Sequence, residues 1–249
     1  MASRRTGSGL GEAAAIGMAA GLCGLGLLSL LYQDFAEVWQ PAPKSWPAYS
    51  TWASVSGLIV LAAGLMMAIR RTRFWGATLA AAFIGLWVLV LHLPHALAKP
   101  TVWVSWQAVC ESLAMATGAF IASREAKGSA GRISVTVMGV CFVVFGVSHF
   151  FYSKFTTDMV PAWLPMRLDL TYLTGAIHVL TGLALIVGVQ RRWAATAEAL
   201  MMGSFVLLVH IPRVAAAPHD RMELTELFIA ITLSSAAWIL AGSRAVAKR

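Results

Sequence analysis

The chain has 249 residues, 59% of them hydrophobic and 12% charged, with a formal net charge of +8. A charged fraction near half that of soluble domains excludes an ordinary soluble globular protein. No basic stripe is interleaved with aromatics, so the positive charge reads as a topology signal with anionic-lipid contact and not as a nucleic-acid footprint.

Apolar stretches near 18–20 residues recur along the chain, each long enough for a bilayer core at 1.5 Å per residue. They predict eight helical spans, at 11–32, 51–70, 74–97, 102–123, 133–152, 170–189, 193–214 and 222–242. The first span follows Arg4 and Arg5, as a cleaved signal peptide would. The same segment recurs at 133–152, so it is read as a span. A long loop, WQPAPKSWP (39–47), leads to the second span, and a basic turn with Arg70, Arg71 and Arg73 to the third. The fourth ends in the polar, Gly-containing joint Arg124–Arg132. The fifth and sixth are separated by a second proline loop, VPAWLP (160–165), and the sixth and seventh by Arg191 and Arg192. Both proline loops are expected on the outer surface, partly as short interfacial helices.

The second half repeats the first. At a slide of 120, Met18, Gly26, Tyr32, Phe35 and Pro41 fall on Met138, Gly146, Tyr152, Phe155 and Pro161. At a slide of 118, residues 56–100 fall on 174–218 with 16 identities in 45 positions, among them Trp75/Trp193, His92/His210 and Pro94/Pro212. Glu111 fits Glu226 at a slide of 115. Shared Leu and Ala are expected by chance between membrane segments; a shared His-x-Pro and Trp are not. The prediction is an all-α, polytopic membrane protein. Its eight transmembrane helices form two parallel four-helix repeats, 1–125 and 133–249, joined by a cytoplasmic linker at 126–132. An even helix count per unit makes the repeats parallel, with a pseudo-twofold axis along the membrane normal.

Thirteen of the 19 Lys and Arg residues fall at alternate loops on one side, including Arg124, Lys127, Arg132, Arg244, Lys248 and Arg249. That side should be cytoplasmic, with both termini. Tyr32, Trp39, Trp46, Tyr49, Trp52, Trp103, Trp106, Tyr152, Trp163 and Tyr172 then gather at the outer interface, which amphipathic rings favour. Cys23, Cys110 and Cys141 lie within spans without a Cys-x-x-Cys and are read as small packing residues.

Ionisable residues inside a bilayer are costly, so each is a candidate. Depth alone gathers His92, His149, His178 and His210, Glu111 and Glu226, and Tyr32 and Tyr152 into one outward-facing layer. The matching pair His92 and His210 could ligate one haem between opposed imidazoles, or pair with the two glutamates. A quinone suits the layer better, because His and Tyr donors beside aromatic rings match two carbonyl oxygens. Glu111 and Glu226 are then the candidate proton-transfer groups. No His-x-x-x-His spacing supports zinc, and no metal site is read. His149 and His178 break the repeat, because Ser29 and Val60 stand at the matching positions. Arg213 replaces His95 and is read as snorkelling. Glu198, about a turn into its helix, is read as a structural partner of Arg191 or Arg192.

The run HFFYSKFTTDMVPAWLPMRLDLTYLTGAIHVLTGLALIVGVQRRW (149–193) resembles the DoxX-like membrane proteins. The shared features are Gly146, His149-Phe150, the VPAWLP loop, Thr174-Gly175-x-x-His178-x-x-x-Gly182-Leu183-Ala184-Leu185 and the Arg191-Arg192 turn. A family member normally has one four-helix unit, so this chain looks like a tandem fusion. The resemblance implies a bacterial inner-membrane protein linked to redox metabolism, with relatives that partner membrane-associated oxidoreductases. Many members carry Glu where this chain has His178. The expected function is a quinone-binding or non-catalytic subunit of an oxidoreductase, working with a periplasmic or membrane partner. The alternatives are a carrier for a small molecule and an assembly subunit.

Overall fold

Within a bilayer core each backbone N–H and C=O must find a partner inside its own segment. The described residues, 9–124 and 128–247 of a computed structural model, form helices and no strand. Arg4, Arg5, Lys127, Lys248 and Arg249, used above to orient the chain, lie outside the described residues. The helices are α1 (Gly9–Tyr32), α2 (Tyr49–Ala68), α3 (Arg73–Trp87), α4 (Leu93–Ala98), α5 (Trp103–Arg124), α6 (Gly128–Phe151), α7 (Ser153–Met159), α8 (Arg167–Val187), α9 (Arg191–Phe205), α10 (Ile211–Ala216) and α11 (Arg221–Gly242).

α3 and α4 are one continuous rod joined by a π turn at Val88–His92, and α9 and α10 are another joined at Val206–His210. The cause is proline. Pro94 and Pro212 have no N–H to offer the carbonyl four residues back, and their rings crowd it. The ladder slips to five-residue spacing, with Leu93 N–H donating to the Val88 carbonyl and Ile211 N–H to that of Val206. At the start of α11, Asp220 accepts hydrogen bonds from the amides of Met222 and Glu223 at 2.8 and 3.2 Å, which satisfies two of the orphan donors of a helix start.

Among the described residues seven rods are long and apolar enough to cross a membrane, and they mark a multi-pass membrane protein. The expected fourth span is the exception. α5 is a 22-residue helix, but Ser105, Gln107, Glu111, Ser112, Thr117 and Ser123 lower its apolarity. It can carry them because it is interior: 12 of its 22 residues are buried, among α3, α6 and α11. The joint expected at 126–132 is shorter than read, since α6 already runs from Gly128.

Glycine sets the closest approaches. A Cβ on Gly26 would lie 2.7 Å from the Gly57 carbonyl oxygen, drawing α1 against α2. A Cβ on Gly146 would lie 2.5 Å from that of Gly175, drawing α6 against α8. Small residues of this kind let membrane helices pack backbone to backbone. α1 also packs along α11 and α6 along α5, while α3 lies on α5 and α9 on α11. Cys110 and Cys141 are buried as expected.

The two proline loops differ. In the first, Phe35, Ala36, Trp39 and Gln40 fold into the bundle and are buried. Trp39, expected at the outer interface, lies inside the bundle instead. It is 2% exposed, and its indole N–H donates to Ser112 Oγ at 3.1 Å. Gln40 donates to Ser56 Oγ at 2.9 Å and accepts the Ala36 amide. In the second loop, α7 buries no residue, and Phe155, the match of Phe35, is 63% exposed.

Candidate functional site: a buried His-His-Glu chain

α8 and α9 are joined by a tight turn in which Gly188 (φ 88°) and Gln190 (φ 46°) adopt the left-handed conformation. Gly188 closes α8 by donating its N–H to the Ala184 carbonyl. His178 lies nine residues before the end of α8 and Glu198 seven after the start of α9. At 1.5 Å per residue both stand about 10–14 Å from that turn, so they meet at one level. His178 Nδ1 and Glu198 Oε1 are 2.5 Å apart. Thr181, one turn beyond His178 and on the same helix face, donates to Glu198 Oε2 at 2.5 Å. Glu198 is completely buried and His178 is 2% exposed.

His149 completes the chain from α6. The missing side chain of Gly175 admits it: a Cβ there would sit 2.8 Å from that of His149. The His149 and His178 rings meet edge to face at 5.1 Å. Thr174 Oγ1 lies 3.0 Å and the Thr171 carbonyl 3.3 Å from His149 Nδ1. Phe205 stacks on His149 at 6.1 Å, and Phe145 packs edge-on to His178 at 6.0 Å. Every hydrogen bond of the two imidazoles uses Nδ1; neither Nε2 has a partner among the described residues.

The single layer expected from depth separates into three places. His149 and His178 come together. His92 sits apart, with Nε2 3.0 Å from Ser112 Oγ, the atom that also receives Trp39. His210 ends its own π turn, with a buried Nδ1 that lacks a partner. His92 and His210 make no ring contact or hydrogen bond with each other among the described residues. The physical reason is that each imidazole follows its own rod and packs toward a different neighbour, α5 or α11.

Glu111 accepts from Gln107 at 2.9 Å. Neither Glu111 nor Glu226 makes an ion pair or hydrogen bond to a histidine among the described residues. Arg213 has carboxylate partners. It forms a bidentate pair with Glu223 at 2.6 and 2.7 Å and stands 3.8 Å from Glu226. Tyr152 and Tyr32 take structural posts: the Tyr152 hydroxyl accepts the Val104 amide at 3.1 Å, and the Tyr32 ring lies beneath Arg221 at 4.9 Å.

Glu198 is the residue the sequence reading misplaced. It pairs with His178 and with neither Arg191 nor Arg192, because both arginines lie at the helix start while Glu198 is two turns inside. A signal was present. At a slide of 118 its match is Ala80 and that of His178 is Val60, and at a slide of 120 His149 falls on Ser29. All three polar members are thus peculiar to the second half. In the first half, Gln40 bonds Ser56, the match of Thr174, so the buried loop occupies the corresponding region.

The sequence model of a family described as Domain of unknown function (DUF8561) matches residues 138–241, a stretch that includes His149, His178 and Glu198. No curated protein and no solved structure matches the chain.

Proposed function

We propose that the chain is a DoxX-like subunit of the bacterial inner membrane, crossing the bilayer eight times as two parallel four-helix repeats. It would bind a quinone-like, lipid-soluble ligand at His149 and His178, in association with an oxidoreductase partner. The observation that carries this reading is the His149–His178–Glu198 chain beneath a loop that does not fold inward. The repeated glycine contacts, Gly26 with Gly57 and Gly146 with Gly175, support the doubled architecture. Interior placement explains how α5, with its serines and Glu111, fits as a crossing.

The donor set suits a ligand with carbonyl oxygens. Two ring nitrogens are without protein partners, and Phe145 and Phe205 supply flat apolar contact. A bound quinone would take up protons with its electrons; the protein's part is to hold those protons. In this reading His178 Nδ1 and Glu198 Oε1, 2.5 Å apart, would share one proton. With hydrogen on Nε2, the pair is net neutral wherever that shared proton sits, which a low-dielectric interior favours. When Glu198 holds it, Thr181 can turn its hydroxyl to the Ile177 carbonyl at 2.8 Å. Release of a proton from Nε2 leaves an uncompensated buried charge, so the pair would act as a relay that must be refilled and not as a reservoir. Glu111 and Glu226 have no contact with this chain and are left outside the relay.

The test is quinone content and binding of purified protein, with an absorbance scan from about 380 to 700 nm that reports haem through its Soret band. Wild-type protein should retain extractable quinone or bind an added quinone analogue. His149→Ala and His178→Ala should lose it, and His92→Phe should keep it. A colourless wild-type protein that binds no quinone would overturn the proposal in favour of a carrier or assembly subunit.

A further inference from the structure

Two adjoining cavities of about 450 and 520 Å³ share Ala81, Ala82 and Leu113. Together they form one open trough with α3 and α6 as walls and α5 as floor. Short residues on α3 (Thr78, Ala81, Ala82 and Gly85) open it, its lining is mainly apolar, and at one end it reaches Arg124. The trough follows α5 from Leu113 to Arg124 and α3 from Thr78 to Leu89. At 1.5 Å per residue each path is about 16 Å, close to half of a ~30 Å hydrocarbon core.

The two halves differ at the glycine that borders this space. A Cβ on Gly85 would meet nothing within 4 Å. The same construction on Gly203, its match at a slide of 118, meets Ser234 Oγ at 3.6 Å and Trp238 Nε1 at 3.9 Å. Trp238 stands at the match of Ser123, and Leu200 at the match of Ala82. Ser234 and Trp238 therefore stand over the counterpart glycine, while the space over Gly85 is open. Arg124, at one end of the trough, is exposed, with no carboxylate partner among the described residues.

We infer that this trough is a binding site for one acyl chain of an anionic phospholipid, whose headgroup lies against Arg124. Length selects a chain from a single leaflet, the small residues admit its width, and the guanidinium selects the headgroup's charge. The inference is independent of the quinone reading, since none of these residues belongs to the His-His-Glu chain.

The test uses protein purified in mild detergent, stripped of lipid, and offered phosphatidylglycerol or phosphatidylcholine with identical acyl chains; bound lipid is counted by native mass spectrometry. Wild-type protein should hold one phosphatidylglycerol, preferred by about fivefold, the ratio expected for one basic residue near the membrane surface. Arg124→Gln should bring the two lipids to parity while leaving chain binding. The pair Ala82→Leu and Ser123→Trp, residue types the chain carries at the matching positions, should abolish binding with helicity retained. Gly85→Leu serves where that pair fails to fold. A wild-type protein without bound lipid, equal retention of the two lipids, or undiminished binding by a filled variant that is folded would overturn the inference.

Discussion

Replacing Glu198 tests whether the buried dyad is an energetic unit. Glu198→Ala removes the partner of His178 Nδ1 and of Thr181 Oγ1, both at 2.5 Å. The two losses are unequal. Thr181 can redirect its hydroxyl to the Ile177 carbonyl at 2.8 Å, so it is not orphaned. His178 has no second acceptor for Nδ1, and an unsatisfied buried polar group costs about 1–3 kcal/mol. A cavity term adds to this, because the carboxylate is completely buried and its site cannot fill with water from a surface. The expected destabilisation is about 3 kcal/mol, at the low end of the range for breaking a buried pair. Glu198→Gln keeps the shape and one acceptor and should cost about 1 kcal/mol, the size of a typical interhelical bond in a membrane. Unfolding in lipid–detergent micelles by SDS titration, read by helicity, supplies the numbers. A cycle with His178→Ala should show coupling of at least about 1 kcal/mol. Wild-type stability in Glu198→Ala, or strict additivity in the cycle, would refute the assignment of His178 and Glu198 as a unit.

Outside the spans, burial alone would raise the Asp34 carboxyl, but hydrogen bonds from Lys44 (2.7 Å), Tyr49 (2.6 Å) and Arg221 (3.0 Å) hold it well below the usual carboxylate range. A depressed folded value means its stabilisation is complete above about pH 4 and is lost as the pH falls below that. Asp34→Asn should therefore be less stable at neutral pH and should converge with wild type on acidification, as thermal unfolding against pH will show. Gly26→Val should cost about 3 kcal/mol by the same SDS titration, since its Cβ would lie 2.5 Å from the Leu61 backbone nitrogen, which cannot move aside. Trp39→Phe keeps the buried ring but removes the bond to Ser112 and should cost about 1 kcal/mol, with His92→Phe giving a smaller further loss in that background than alone.

The rods were legible because a 20-residue apolar run in lipid has one low-energy backbone solution, and their ends fall within a few residues of hydropathy edges. α5 shows the limit of that signal: a helix buried by other helices need not be apolar all round, so composition understates it. Lateral convergence was not legible. His92, His149, His178 and His210 share a depth, but which imidazoles meet depends on helix rotation, set by contacts such as Gly146 with Gly175 that no one-dimensional depth count contains. Glu198 was misplaced because sequence neighbours were preferred as partners over a residue 20 positions away, although its absence from the first half had already grouped it with His149 and His178. Trp39 was misplaced because an aromatic in a proline loop suits an interface equally well; only the polar sockets at Ser112 and Ser56 turn that loop inward.

Each π turn inserts one surplus residue ahead of its proline. An α-helix advances about 100° per residue, so the segment carrying His92 and Pro94, or His210 and Pro212, is offset in phase from the rest of its rod. Loss of one residue between Val88 and His92 would barely shorten that rod, yet would swing the imidazole about a quarter-circle away from Ser112. Insertions and deletions in these five-residue windows would therefore act as a steering adjustment, re-aiming a histidine while leaving the span's fit to the bilayer unaltered.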